Sequence, residues 1–242
     1  MRNATDEKID EFEHLWRYFK TDRFVELLQT EEVYFAAARQ FQDRFEGATA
    51  VLPQNAYIDP RFPTEGDHAE RAFEQLRRLT KISCWHRSSY ESDAMWQLYA
   101  GSWKGVAIRT TPGRLAAAAN TFRLEPHHEG EDLWGGNVTY VDLLKQRLRI
   151  NELTRFWYKH MAFSWEREFR LGISLRPAEE FGVAVPEEGI RVRFNLDVLV
   201  DRIFLGPSLE QRDVQQIRHA VEKAGLGDRI RVSSMLGTPR YT

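Results

Sequence analysis

Alternation of apolar and polar positions is clearest between Glu166 and Ile173. Glu166, Glu168 and Arg170 fall on one side, and Arg167, Phe169, Leu171 and Ile173 on the other. A period of two marks a strand, because successive side chains on a strand point to opposite faces. Two carboxylates and a guanidinium thus share one row, which is either a solvated edge or the floor of a site. Shorter aromatic and β-branched runs predict strands at Leu15–Phe19, Val33–Phe35, Lys81–Trp85, Val106–Ile108, Val138–Val141, Ile190–Phe194, Ile203–Leu205 and Ile230–Val232. In the first of these, Arg17 shares a face with Leu15 and Phe19.

Helical spacing predicts the remaining elements. Thr21 is placed to cap a short helix with Phe24, Leu27 and Leu28 inside. A second helix is expected from about Asp67 to Leu79, with Ala69, Phe73, Leu76 and Leu79 as its stripe. Ser92 or Asp93 caps the helix Ala94–Ala100, where Met95, Trp96 and Tyr99 read as core, and Pro112 opens a helix through Ala119. The longest helix is expected from Asp142 to about Met161, with Leu144, Leu148, Leu153, Trp157 and Met161 inside. Ser208 and Gln211 have the spacing of a capping box for a helix through Lys223. Loops are expected over residues 48–67, 125–136 and around Pro177–Gly189, and residues 1–13 read as a polar lead-in or short helix. In FQDRFEG, Asp43 and Glu46 precede Gly47, which is suited to a left-handed turn. Without repeats or a strong linker, these elements predict a single α+β domain over 1–242, with a mixed or split antiparallel sheet and flanking helices.

Composition changes this picture only by exclusion. The 242 residues are 42% hydrophobic and 29% charged with a net charge of −2, so no global attraction to nucleic acid or membrane is expected. A lone cysteine, Cys84, rules out an internal disulfide, and its apolar surroundings predict an inert thiol. No apolar run approaches membrane-spanning length and no apolar leader is present, so the expectation is a cytoplasmic protein without a membrane partner. His127 and His128 sit in an acidic loop, but adjacent histidines rarely chelate one ion, so no metal is expected. Lys145, Arg149 and Lys159 read as a solvated helix face.

Several segments in order carry a resemblance. LWRYF, FVELLQTEEVYFA, FQDRFEG, ISCWHRSSYESDAMWQLYAGSWKGVAI, VTYVD and WEREFRL, spanning about residues 15–171, resemble the bacterial family called domain of unknown function 2971. The chain departs from the family at Gln42-Asp43-Arg44, where Asn-Asp-Pro is usual, and at His86, where a Ser is expected. A second resemblance is to ADP-ribosyltransferase-like folds, which place a basic residue on an early strand, a Ser or Tyr on a middle one and a Glu on a late one. Glu166-Arg167-Glu168 is similar to the Glu-x-Glu of the arginine-modifying branch; Arg17 would be the early residue and Ser83 or Tyr90 the middle one.

That resemblance implies NAD as substrate and an ADP-ribosyltransferase or NAD glycohydrolase, of the kind found among toxins and defence effectors. Cleavage of the nicotinamide–ribose bond passes through an oxocarbenium-like state, which a carboxylate stabilises. Glu168 would take that role and Glu166 would accept the nucleophile's proton. Arg17 would hold the pyrophosphate, with Arg170 pairing the carboxylates and Trp85, Tyr90 or Trp96 stacking on the nicotinamide. The alternatives are a non-catalytic module binding nucleotide, nucleic acid or protein, and a metal-dependent hydrolase using Asp43, Glu46 and the late glutamates.

Overall fold

The EFRLGIS segment, Glu168–Ser174, is a strand whose first six residues are all buried, so both of its faces are covered. The computed structural model describes residues 1–50 and 63–241. In chain order the strands are β1 (Arg2–Asn3), β2 (Leu15–Phe19), β3 (Glu32–Ala37), β4 (Thr80–Arg87), β5 (Val106–Thr110) and β6 (Trp134–Asn137). They continue with β7 (Thr139–Val141), β8 (Tyr158–His160), β9 (Glu168–Ser174), β10 (Ile190–Arg193), β11 (Arg202–Leu205) and β12 (Ile230–Val232). The helices are α1 (Thr21–Thr30), α2 (Pro63–Leu79), α3 (Asp93–Tyr99), α4 (Pro112–Ala118), α5 (Arg176–Glu180), α6 (Leu196–Leu199) and α7 (Gln211–Lys223). Most strand pairs are antiparallel, in a mixed arrangement of strands and helices of the α+β kind.

Contacts fall into two units. The first comprises residues 1–9, 34–84 and 121–191, and the second 10–33, 85–120 and 192–242. In the first unit β1 pairs in parallel with β6, β6 pairs antiparallel with β9, and β3 pairs antiparallel with β4 through Ala36–Ile82 and Ala37–Lys81. Its core gathers Ala4, Ala38, Ile82, Phe156 and Trp157. Two glycines make room there: a Cβ at Gly172 would stand 2.5 Å from the Trp157 ring, and one at Gly136 would stand 3.3 Å from it. The indole therefore lies directly on the sheet beside Arg170, whose carbonyl accepts its N–H at 3.3 Å.

In the second unit β2 pairs antiparallel with β5, β5 with β11, and β11 pairs in parallel with β12. Trp16, Tyr18, Met95, Trp96, Ala100 and Ala107 form its core, with Trp103 and Phe204 packed against them. Ser92 caps α3 by accepting from the Met95 N–H, and Pro112 opens α4, both as the sequence predicts.

The main departure is the helix expected over Asp142–Met161. Asp142 and Asn151 use their side chains on nearby amides, of Leu144 in one case and of Leu153 and Thr154 in the other, which offers the backbone turns in place of a helix. The chain then makes a 3₁₀ turn at Thr154–Trp157 and enters β8, which pairs in parallel with β7. Leu144 and Met161, expected inside, are exposed; Trp157 is buried as expected, and Leu143 and Phe156 are buried with it. Tertiary demand for the two aromatics overrides a helical stripe that was apolar only every fourth residue.

Smaller corrections concern helix caps and the bounds of loops. Thr21 is inside α1 rather than capping it, and its hydroxyl donates to the Lys104 carbonyl. Glu210, not Ser208, stands at the N-cap of α7. Residues 2–3 pair with β6 rather than fray, β6 shortens the expected 125–136 loop, and α5 interrupts the one expected at Pro177–Gly189. Helix α2 begins at Pro63, before the expected Asp67; most of the 48–67 loop lies outside the described residues.

Candidate functional site

The charged row anticipated on β9 is assembled, with one change of geometry. Glu168 and Arg170 lie on the strand, two residues apart and therefore on one face. Glu166 is the last residue of a 3₁₀ segment, Met161–Glu166, and Arg167 turns the chain in a left-handed conformation (φ 44°) before the strand begins. Arg167 is consequently exposed rather than on the apolar face.

Arg170 is 0% exposed and fully engaged. Its Nε donates to Glu168 Oε2 at 2.5 Å, and its two terminal nitrogens hold Glu46 as a fork at 2.6 and 3.0 Å. The nitrogen nearest Glu46 Oε1 also donates to the Phe156 carbonyl at 2.6 Å. Glu46 is delivered by the turn read from FQDRFEG. Asp43 Oδ1 accepts from the Phe45 amide, the Asp43 carbonyl accepts from the Glu46 amide, and Gly47 turns left-handed (φ 75°) beneath the Phe156 ring. Asp43 is thus a turn former, and Glu46 is the member of that motif that reaches Arg170.

Lys159, on β8, completes the cluster by donating to Glu166 Oε2 and, at 3.0 Å, to Glu168 Oε1. Lys159 was expected on a solvated helix face and is instead buried. The aromatic run Phe156-Trp157-Tyr158 beside it carries the β propensity that could have placed it inside. Tyr140 was also missed: its hydroxyl accepts from the Glu168 amide at 2.8 Å.

Three carboxylates against two cations leave one negative charge in excess, and the environment settles it on the Glu166/Glu168 pair. Burial, together with a hydrogen bond to Glu168, raises the Glu166 carboxyl to about 7. Burial pushes Glu168 the same way, but the charges of Arg170 and Lys159 outweigh it and hold that carboxyl well below the usual range. Burial works against the Lys159 ammonium, and the neighbouring carboxylates more than restore it. The surroundings thus push the two carboxyls in opposite directions, Glu168 toward its ionised form and Glu166 toward its protonated one.

The remaining candidates fall elsewhere. Arg17 lies on β2 in the second unit, its guanidinium carbon 5.4 Å from the ring centres of both Phe19 and Trp85. Ser83 and Trp85 are almost fully buried on β4. Trp96 is wholly enclosed in the second core, with its N–H on Glu91, so neither of its faces is open to a nicotinamide ring. Tyr90 is 80% exposed. Burial raises the Cys84 thiol, and the Glu168 charge adds to the effect, in line with an inert group.

Glu46 spends both oxygens on Arg170, and among the described residues no three metal-binding side chains converge. No helix among the described residues is long and apolar enough to cross a membrane. Neither the family models, the curated proteins nor the solved structures searched contain a match to this chain.

Proposed function

We propose that the chain is a glycosyl-transferring enzyme that cleaves NAD, as an ADP-ribosyltransferase or NAD glycohydrolase, with Glu168 and Glu166 as its acid–base pair. Membership of the family called domain of unknown function 2971, an ADP-ribosyltransferase-like fold and a role in defence or toxicity belong to the same proposal. One observation carries it: two buried carboxyl groups that share the Lys159 ammonium and whose surroundings drive their proton affinities in opposite directions. Such a split is what acid–base chemistry at neutral pH requires. Glu168, kept ionised by Arg170 and Lys159, would stabilise positive charge developing on ribose C1′ as nicotinamide leaves. Glu166 would take the proton of the attacking water or acceptor. Lys159 bonds to both and fixes their spacing. Both glutamates keep 7% of their surface, and substrate would meet the pair at that edge.

The test is release of nicotinamide from NAD by the purified chain at pH 7, with Glu168→Gln measured beside it. The variant should turn over at least about 100-fold more slowly while circular dichroism shows it folded at the assay temperature. A folded parent that leaves NAD intact, or a folded variant as fast as the parent, refutes the proposal. One observation favours a second reading, a non-catalytic binding module for nucleotide, nucleic acid or protein. All four carboxylate oxygens of Glu46 and Glu168 already accept hydrogen bonds from within the chain. On that reading the cluster only builds the fold, and NAD survives incubation with the folded parent.

A further inference from the structure

The first unit also contains an open cleft of about 780 Å³, walled by the 127–132 loop, the start of β6, α5 and residues 152–153. That is the size of a small-molecule site. Five carboxylates line it against one guanidinium, and its apolar surface includes the rings of Trp134 and Phe181. An acidic, aromatic cleft suits a cation that carries an apolar body, since a ring face attracts cations and a carboxylate pairs with them.

One side of the cleft shows this chemistry satisfied within the chain. The Arg2 guanidinium lies 5.6 Å from the centre of the Trp134 ring and pairs with Asp132 at 2.7 Å. Arg176, on the α5 side, is held between Glu152 and Glu180. The remaining wall repeats the pairing of an aromatic ring with a carboxylate. Phe181 is 80% exposed at the end of α5, and its ring centre is 6.3 Å from that of His128. The Glu131 side chain is only 6% exposed, and its Oε1 accepts no hydrogen bond among the described residues. His128 Nε2 stands 3.4 Å from it. A buried carboxylate oxygen without a donor costs stability unless something supplies one. Burial raises the Glu131 carboxyl, with His128 opposing.

We infer that this cleft binds an organic cation of the alkylammonium or guanidinium class, with Phe181 against its apolar body and Glu131 facing its charge. The inference does not depend on NAD chemistry at the Glu166/Glu168 pair. Such a cation is supplied either by a free polyamine or by an arginine side chain of a protein, and the probes separate the two.

The experiment is calorimetric titration of the full chain with spermidine, with agmatine, and with a short peptide carrying one arginine. The uncharged citrulline analogue of the peptide serves as control. Saturable binding with a dissociation constant below about 1 mM is expected for at least one cation. It should weaken about tenfold in both Phe181→Ala and Glu131→Gln, because each removes one of the two contacts. Phe181 is exposed and Glu131→Gln keeps the side-chain shape, so both variants should remain folded. Tighter binding of spermidine or agmatine than of the peptide assigns a free cation, and the reverse order assigns a protein side chain. No saturation by any of the three at 10 mM (roughly ten times the weakest constant expected), equal binding of the citrulline peptide, or variants that bind like the parent would overturn the inference.

Discussion

Replacing Arg170 with Met keeps the length and apolar bulk of the side chain and removes every donor it supplies to Glu46. Both oxygens of Glu46 then lose their described partners inside the core. Glu168 still has Lys159, so the loss falls mainly on Glu46. A carboxylate stranded there must take a proton to remain buried. Each pH unit above the ordinary carboxyl value near 4.3 then costs about 1.4 kcal/mol. The variant should lose about 4 kcal/mol at pH 7 and only about 1 kcal/mol at pH 5. The sign follows from Glu46 being raised in the folded variant: its destabilisation is small below the unfolded value and grows as pH rises. For a chain of 242 residues the pH 7 loss corresponds to about 8–16 °C in Tm. Urea denaturation at pH 5 and pH 7 measures it, with Glu46→Leu/Arg170→Met as the companion. The double variant leaves no buried charge unpaired at that point and should recover most of the loss. A single-variant loss below about 1 kcal/mol at pH 7, a loss that does not change with pH, or a double variant worse than either single would refute the reasoning.

Two further outcomes follow from the same region. Glu166 is raised to about 7, so its contribution to stability is present below the unfolded value near 4.3 and is lost as pH rises through 7. Glu166→Gln lacks that loss and should gain on the parent by about 2.5 kcal/mol between pH 5 and pH 8, read from denaturation midpoints at the two pH values; a constant difference between them would count against a raised Glu166 carboxyl. Gly172→Ala places a methyl group 2.5 Å from the Trp157 ring and should cost about 1–3 kcal/mol by overpacking. A change in tryptophan emission should accompany it, and unchanged stability with unchanged emission would show that the indole is not seated on the strand.

Most strands were legible because their residues are β-branched or aromatic and their flanks are turns. Lys81–Trp85, Val106–Ile108 and Ile203–Leu205 all appear where the pattern puts them. The charged row was legible in part: period two correctly placed Glu168 and Arg170 on one face, and Glu166 joined them by a different route through the Arg167 turn. The partners were not legible. Glu46 lies 124 residues from Arg170, and no local pattern encodes that meeting. Lys159 was misassigned because the segment before it has helical periodicity; the pairing of Tyr158–His160 with Thr139–Val141 decided otherwise. Trp85 and Trp96 lie in the core, as Trp96's helical spacing suggested, since large aromatic residues serve a core as readily as a binding wall.

The left-handed residue at Arg167 has a mechanical consequence. It joins two pieces of different stiffness: β9, hydrogen-bonded into the sheet, and a single 3₁₀ segment, Met161–Glu166, that carries the exposed Trp165 and Met161. Glu168 moves with the first and Glu166 with the second, so the Lys159 ammonium that bonds to both is a clasp across that join. With the ammonium in place the two carboxyls are held to one donor and the segment is held down; without it, two buried carboxyls face each other with nothing between them. The grip of that one side chain then sets how often residues 161–166 lift from the sheet, and amide exchange in that segment should quicken in Lys159→Met relative to the parent.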